Sequence, residues 1–162
     1  MSDTLEREAR SLLSAAAVRA RAGQMLEIAR DLGNLEGEAH ALRALGDVAR
    51  VEGRSEEARV YLTESLGRFN SLEQQAGALD CIAHLAQLAA DRRDAHQAGV
   101  LAGAHLAQYT SIGEPQLAVD TGDGSVFAGL REQEGAATWD SSFSEGLGMT
   151  MPQVIAFVLN AQ

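Results

Sequence analysis

No lysine occurs in the 162-residue chain; all 13 basic residues are arginine. That absence removes the phosphate-gripping residue of a P-loop and any Schiff-base chemistry. Cysteine is represented once, by Cys81, which excludes an internal disulfide and a thiolate-rich metal site and points to an intracellular protein. Only two prolines and 4% aromatic residues are present, too few for a typical β-sandwich. Long apolar runs are missing as well: nothing approaches the roughly 20 residues needed to span a bilayer, and MSDTLEREAR lacks the basic and apolar regions of a signal peptide. The expected location is the cytoplasm, away from membranes.

Hydrophobic residues make up 46% of the chain, mostly alanine, leucine and valine, a composition suited to helices packed through small side chains. A formal charge of −10 argues against direct nucleic-acid binding, because that affinity comes from basic side chains displacing counterions. An all-α protein is predicted.

Internal repetition is visible. NLEGEAHALRALGDVARVEG, from Asn34, aligns with SLEQQAGALDCIAHLAQLAA, from Ser71, at an offset of 37, so that Leu35, Glu36, Ala39, Ala41, Leu42 and Ala49 meet Leu72, Glu73, Ala76, Ala78, Leu79 and Ala86. The helices that follow match at an offset of 40 through Ala58/Ala98 and Leu66/Leu106, which calls for a three-residue insertion around Asp91 to Asp94. Asn34, Ser55, Ser71 and Asp94 are the expected N-caps, and Gly33, Gly53 and Gly113 the expected left-handed C-caps. Helices are predicted over 3–21, 24–32, 35–52, 56–69, 72–90, 95–111, 116–134, 136–146 and 151–160, with a break or fraying around Gly122. Together they make one domain, 1–162: an N-terminal hairpin (1–33), two repeats (34–70 and 71–113) and C-terminal capping helices (114–162).

Catalytic signatures are sparse. Asp120-Thr121-Gly122 resembles an aspartic-protease motif, but that chemistry needs two carboxylates sharing a proton, and one copy is present. The glycines of TGDGSVFAG do not follow G-x-G-x-x-G. His40, His84, His96 and His105 are not spaced as a metal pair and read as surface or groove residues, while Cys81 reads as a small buried hydrophobe. In TWDSSFSEG, Trp139 and Phe143 are one helical turn apart and read as a structural anchor; Asp140 and Ser144 point to solvent. Ser141, Ser142 and Glu145 have no activating histidine or lysine near them in sequence. Thr150-Met-Pro-Gln153 reads as a capping box, with Pro152 in the first turn of the last helix. No cofactor, metal site or enzymatic activity is predicted.

Leu42, Leu45, Gly46, Ala49, Gly53, Ala58, Leu62 and Ser65 resemble the tetratricopeptide-repeat pattern, and Leu79, Ile82, Ala83, Ala86 and Ala98 resemble a second copy. This resemblance implies a right-handed array of antiparallel helical hairpins, an α-α superhelix, whose first helices line a concave groove. Carried onto this chain, the groove positions are His40, Arg43, Asp47 and Arg50 in the first repeat, and Asp80, His84 and Gln87 in the second. The clamp such arrays use for a C-terminal carboxylate needs neutral or basic residues where Asp47 and Asp80 stand, which disfavours chaperone-tail binding.

Over residues 32–159 the chain also resembles the C-terminal segment of large bacterial LuxR-type, antibiotic-regulatory and cyclase-associated ATPase regulators. Leu130, Arg131, Glu132, Gly135, Trp139, Phe143, Glu145, Gly146 and Thr150 carry that likeness. The effector and ATPase parts of such regulators do not fit in this length. The resemblance implies a non-catalytic interaction module of signal transduction or transcriptional regulation, binding a protein or peptide partner, with self-association possible. A helical domain sensing a small-molecule inducer is the alternative, and a hydrolytic enzyme the least favoured.

Overall fold

Five backbone turns of one kind punctuate the chain at twenty-residue intervals. Gly33, Gly53, Glu73, Arg93 and Gly113 all adopt a positive φ, between 56° and 80°. After each, the next N–H reaches back to the carbonyl five residues earlier: Asn34 to Ala29, Arg54 to Ala49, Gln74 to Phe69, Asp94 to Ala89 and Glu114 to Tyr109, at 2.8 to 2.9 Å. These are Schellman closures, in which one left-handed residue lets the chain satisfy the last helical carbonyls and leave at a fixed angle.

The computed structural model describes the backbone of residues 2–120, 122 and 125–160, and side chains from Ser14 onward except Leu117. Its described residues form eight α-helices and no strand: α1 (Ser2–Asp31), α2 (Leu35–Val51), α3 (Ser55–Ser71), α4 (Gln75–Asp91), α5 (Ala95–Ser111), α6 (Val126–Glu134), α7 (Ala136–Leu147) and α8 (Met151–Asn160). A single 3-10 turn, Pro115–Leu117, precedes α6. The all-α architecture, packed in adjacent helical pairs, is compatible with a helical repeat.

Each of α2 to α5 is 17 residues long, so the repeating unit is one helix and a three-residue turn, and one hairpin occupies forty residues. The 37-residue offset and its three-residue insertion are therefore incorrect. At an offset of 40, the buried residues Ala39, Ala41, Leu42, Leu45, Gly46, Val48 and Ala49 of α2 match Leu79, Cys81, Ile82, Leu85, Ala86, Leu88 and Ala89 of α4. The identities at 37 are coincidences of an alanine- and leucine-rich composition.

Three boundaries in the first four helices also differ from expectation. First, 3–21 and 24–32 are one helix, because α1 runs through Gly23. An internal glycine costs about 1 kcal/mol, and burial of Ala15, Ala22, Leu26 and Ala29 on one face offsets it. Second, Ser71 does not cap α4; it ends α3, its Oγ donating to the Arg68 carbonyl at 2.8 Å. Third, Arg54 rather than Ser55 occupies the N-cap of α3, without a side-chain capping bond.

Elsewhere the expected caps are present. Asn34 Oδ1 accepts the Gly37 N–H and Asp94 Oδ1 accepts the Gln97 N–H, both at 2.9 Å. Gln153 Oε1 accepts the Thr150 N–H at 2.8 Å, closing one half of the capping box that opens α8. The helix expected over 116–134 is shorter: α6 begins only at Val126, and the described residues before it form a 3-10 turn and irregular backbone rather than a helix broken at Gly122.

The chain divides into two compact units, 1–74 and 75–162. In the first, α2 packs between α1 and α3. Ala22, Leu26, Ala41, Leu42 and Leu45 form its core, with Ala44 and Tyr61 against them. Gly46 lets α3 come close: a Cβ there would sit 2.6 Å from Leu62 Cγ. Ser65 Oγ donates to the Ala39 carbonyl at 2.7 Å, a buried bond joining α3 to α2. Nearby, the buried Glu38 carboxylate meets Arg68 at 3.1 Å. In the second unit, α5 is central and touches α4 and, most extensively, α7. Residues Val100 to His105 of α5 are all buried or, at Gly103, covered by the α7 backbone.

Candidate functional site

The face of α2 predicted to meet a partner carries His40, Arg43, Asp47 and Arg50 at steps of three and four, which a 3.6-residue period puts in one strip. Arg50 donates to Asp47 Oδ1 at 3.2 Å. His40 is exposed at the surface, its Nε2 lying 4.0 Å from Glu36 Oε1 and its ring edge-on to the buried Phe69, with centroids 4.9 Å apart. Arg43, Asp47 and Arg50 are half-buried. Three of the four positions are thus partly covered, and Arg50 and Asp47 pair along the strip.

Asp80, His84 and Gln87 occupy the same positions of α4, forty residues on from His40, Ala44 and Asp47. Asp80 is exposed, and His84 and Gln87 are half-buried, as at the matching positions of α2. The first four predicted residues thus belong to one compact unit and the last three to the other.

One histidine departs from the surface role expected of it. His105 is 3% exposed. Its Nδ1 accepts the Val119 N–H at 3.2 Å, so the described turn after α5 is tied down by a neutral imidazole. Burial pushes this imidazole from its ordinary 6.5 down to about 4, against weaker upward pulls from a hydrogen bond to the Leu79 backbone and from the Asp80 carboxylate. The phenol of the adjoining Tyr109 is raised, first by burial and then by Asp80.

A pH dependence follows from His105. Unfolded, the ring takes up a proton near 6.5; folded, it resists until about 4, so between these values the unfolded chain binds more protons and stability falls as pH falls. The contribution is fully present above 6.5, and about 3 kcal/mol is lost on reaching pH 4. Unfolding free energies measured across this window should slope for the native chain and slope less for His105→Asn, whose amide oxygen can still accept from Val119. Parallel profiles would remove His105 as the cause.

His96 is exposed, as expected, but has a partner that its place in the sequence did not announce. Sequence offered no histidine to Ser142, yet α5 and α7 bring His96 Nδ1 within 3.0 Å of Ser142 Oγ. Ser142 Oγ also lies 3.0 Å from the Thr138 carbonyl, to which it donates. Ser142 is also 4% exposed. This arrangement braces two helices, with the His96 ring edge-on to Phe157 of α8 at 6.1 Å.

The remaining motifs are accounted for locally. Trp139 and Phe143 do meet, as stacked rings 6.2 Å apart, and Phe127 of α6 extends the row at 5.8 Å from Trp139. Sequence reading missed Phe127, whose only signal was its place as the first aromatic after the break. Cys81 is buried. Of Asp120-Thr121-Gly122, Thr121 lies outside the described residues; Asp120 Oδ1 accepts the Gly122 N–H at 2.8 Å, a local turn bond. Among the described residues no group of three or more potential metal ligands converges, and no helix is long and apolar enough to cross a membrane.

No family model matches the sequence, and neither a curated protein nor a solved structure matches the chain.

Proposed function

We propose that this protein is a non-catalytic interaction module of the tetratricopeptide kind, a right-handed array of hairpins that takes a protein or peptide partner along the first helix of each repeat. The observation that carries the reading is that the corresponding helix of each unit repeats one pattern of exposure at a forty-residue interval. His40, Ala44 and Asp47 on α2 are followed by Asp80, His84 and Gln87 on α4, with the first of each trio exposed and the other two half-buried. A helix face that served only solubility would be charged and open throughout. Here each strip is partly buried and chemically mixed, as a surface for an extended or helical segment should be.

The likeness to the C-terminal segment of bacterial ATPase regulators supports a regulatory partner, and the net charge of −10 supports a protein rather than a nucleic acid. Arg43 and Asp47 recognise opposite charges on that partner, and apolar anchors fill the space between them.

Site-specific photo-crosslinking in cells tests this reading. A benzophenone side chain in place of His40 or of Gln87 should capture the same discrete protein, and the charge reversals Arg43→Glu and Asp47→Arg should abolish capture. Benzophenone at the exposed Glu27 or Glu134 serves as control. Equal capture from the controls, or none from His40 and Gln87, would overturn the proposal.

A further inference from the structure

Two apolar stripes run along α1, and the fold covers one of them. Ala15, Ala22, Leu26 and Ala29 are buried, and Ala22 and Leu26 pack with Ala41, Leu42 and Leu45 of α2. The second stripe, Val18, Met25, Ile28 and Leu32, is 44 to 75% exposed. Leu32 continues the helical turn, its N–H bonded to the Ile28 carbonyl at 3.0 Å. With Arg21 included, the stripe advances by three, four, three and four residues, the a and d spacing of a coiled-coil seam. An exposed apolar strip with that period marks an interaction surface, unlike single apolar groups scattered over a face.

The forty-residue repeat shows what kind of element belongs there. Ala58 and Ser65 of α3 stand at the positions of Val18 and Met25, and both are fully buried, Ser65 bonded to the Ala39 carbonyl of α2. The equivalent face of α3 is thus one on which a helix lies, whereas on α1 it is open and carries larger apolar side chains. Charge allows the covering helix to come from a second copy. A net charge of −10 sets copies against each other elsewhere, but residues 14–32 hold three arginines against Glu27 and Asp31 alone. Arg19 and Arg30 are engaged within the chain by Glu52 and Glu38; among the described residues Arg21 and Asp31 have no ion-pair partner.

We propose that α1 pairs antiparallel with α1 of a second copy of this chain, about a two-fold axis between Met25 and Ile28. In that register Met25 lies against Ile28 of the second copy, and Arg21 lies against Leu32, beside which Asp31 of that copy receives the guanidinium. The two-fold makes each contact twice. Parallel pairing would instead set Arg21 against Arg21 inside the seam, two like charges with no acid between them. From Val18 to Leu32 the seam is about 21 Å long. An interface of that length falls below about 1,200 Å² in total, the range of reversible association. The proposal goes beyond the partner-binding reading and does not depend on it, since the strip on α2 and α4 shares no residue with this face.

Sedimentation equilibrium of the full chain provides the test. The native chain should pass from monomer to dimer between about 1 and 300 µM. Met25→Glu combined with Ile28→Glu puts like charges face to face in the seam and should weaken the dimer by at least about a hundredfold. Both side chains are exposed, so the monomer's Tm should hold within about two degrees. Arg21→Asp should weaken the dimer by about tenfold, and adding Asp31→Arg should recover most of that loss. Orientation is read by oxidation, with the native Cys81 buried and out of reach. Met25→Cys mixed with Ile28→Cys should cross-link, while Val18→Cys should not link to itself, because its two copies would stand about 25 Å apart. A native chain that stays monomeric at about 300 µM would leave the stripe to a helix of another protein and overturn the proposal. A dimer untouched by the paired glutamates, no recovery in the charge swap, or self-linked Val18→Cys would overturn it as well.

Discussion

Gly146→Ala is expected to destabilise the unit 75–162 by about 3 kcal/mol or more, at the upper end of what overpacking costs. A Cβ on Gly146 would lie 2.0 Å from the Val100 carbonyl oxygen and 2.8 Å from the Ala104 nitrogen. On the facing helix, a Cβ on Gly103 would lie 2.1 Å from the Phe143 carbonyl oxygen. Both clashes are with backbone, which has no rotamer to change, so relief requires α5 and α7 to separate along the interface they share. Parting them would also stretch the His96–Ser142 bond that braces the same pair. Gly103→Ala should behave alike, and because the two clashes share one interface the double variant should lose less than the sum.

The control is Gly67→Ala. Gly67 sits inside α3 with nothing within 4 Å of its would-be Cβ, so alanine there should gain about 0.5–1 kcal/mol from helix propensity alone. Denaturant unfolding of all four chains decides the matter: a loss below about 1 kcal/mol for Gly146→Ala would show that the helices do not approach as closely as backbone contact requires.

The helical class was legible because it rests on composition and on period, both local properties. Register was not. The turns at Glu73 and Arg93 carry no glycine, so the left-handed punctuation visible at Gly33, Gly53 and Gly113 disappears midway, and a serine nearby invites a misplaced cap. Ser71 is a good N-cap residue by type, yet within a helix the same hydroxyl can bond back to the carbonyl three residues earlier, which is what it does. Once the interval of twenty is used, the substitutions between repeats make volumetric sense. Gly46 faces Leu62 in the first hairpin, and Ala86 and Ala102 stand at the corresponding positions of the second. A large residue against glycine is exchanged for two small ones.

Long-range pairings were out of reach for a different reason. Nothing in a spacing of 46 residues announces that His96 meets Ser142, because that pairing depends on how close α5 and α7 come. The small residues that permit the approach were visible as the run AGVLAGA, but the helix they would receive was not. His105 likewise looked like any other polar residue on an exposed face until the segment around Val119 was seen to cover it. The shared face of His40, Arg43, Asp47 and Arg50 on α2 follows from helical period alone, which is local.

Trp139→Ala should cost about 3–5 kcal/mol, the range for truncating a large buried aromatic. Trp139 is 5% exposed and is the middle ring of three, between Phe127 on α6 and Phe143 on its own helix. Few other contacts hold α6 to α7: the exposed pair between Arg131 and Asp140, at 2.9 Å, is worth at most about 1 kcal/mol in solvent. Removing the indole would therefore free Phe127, the α6 ring that rests on it. Trp139→Phe keeps a ring in place and should recover more than half of the loss. A double-mutant cycle with Phe127→Ala should show a coupling of about 0.5–1.5 kcal/mol, as expected for rings in direct contact. Denaturant unfolding reads all of these energies. A loss below about 1 kcal/mol for Trp139→Ala, or no coupling to Phe127, would mean that α6 is held by its backbone and its apolar contacts with α4 and α5 rather than by the aromatic row.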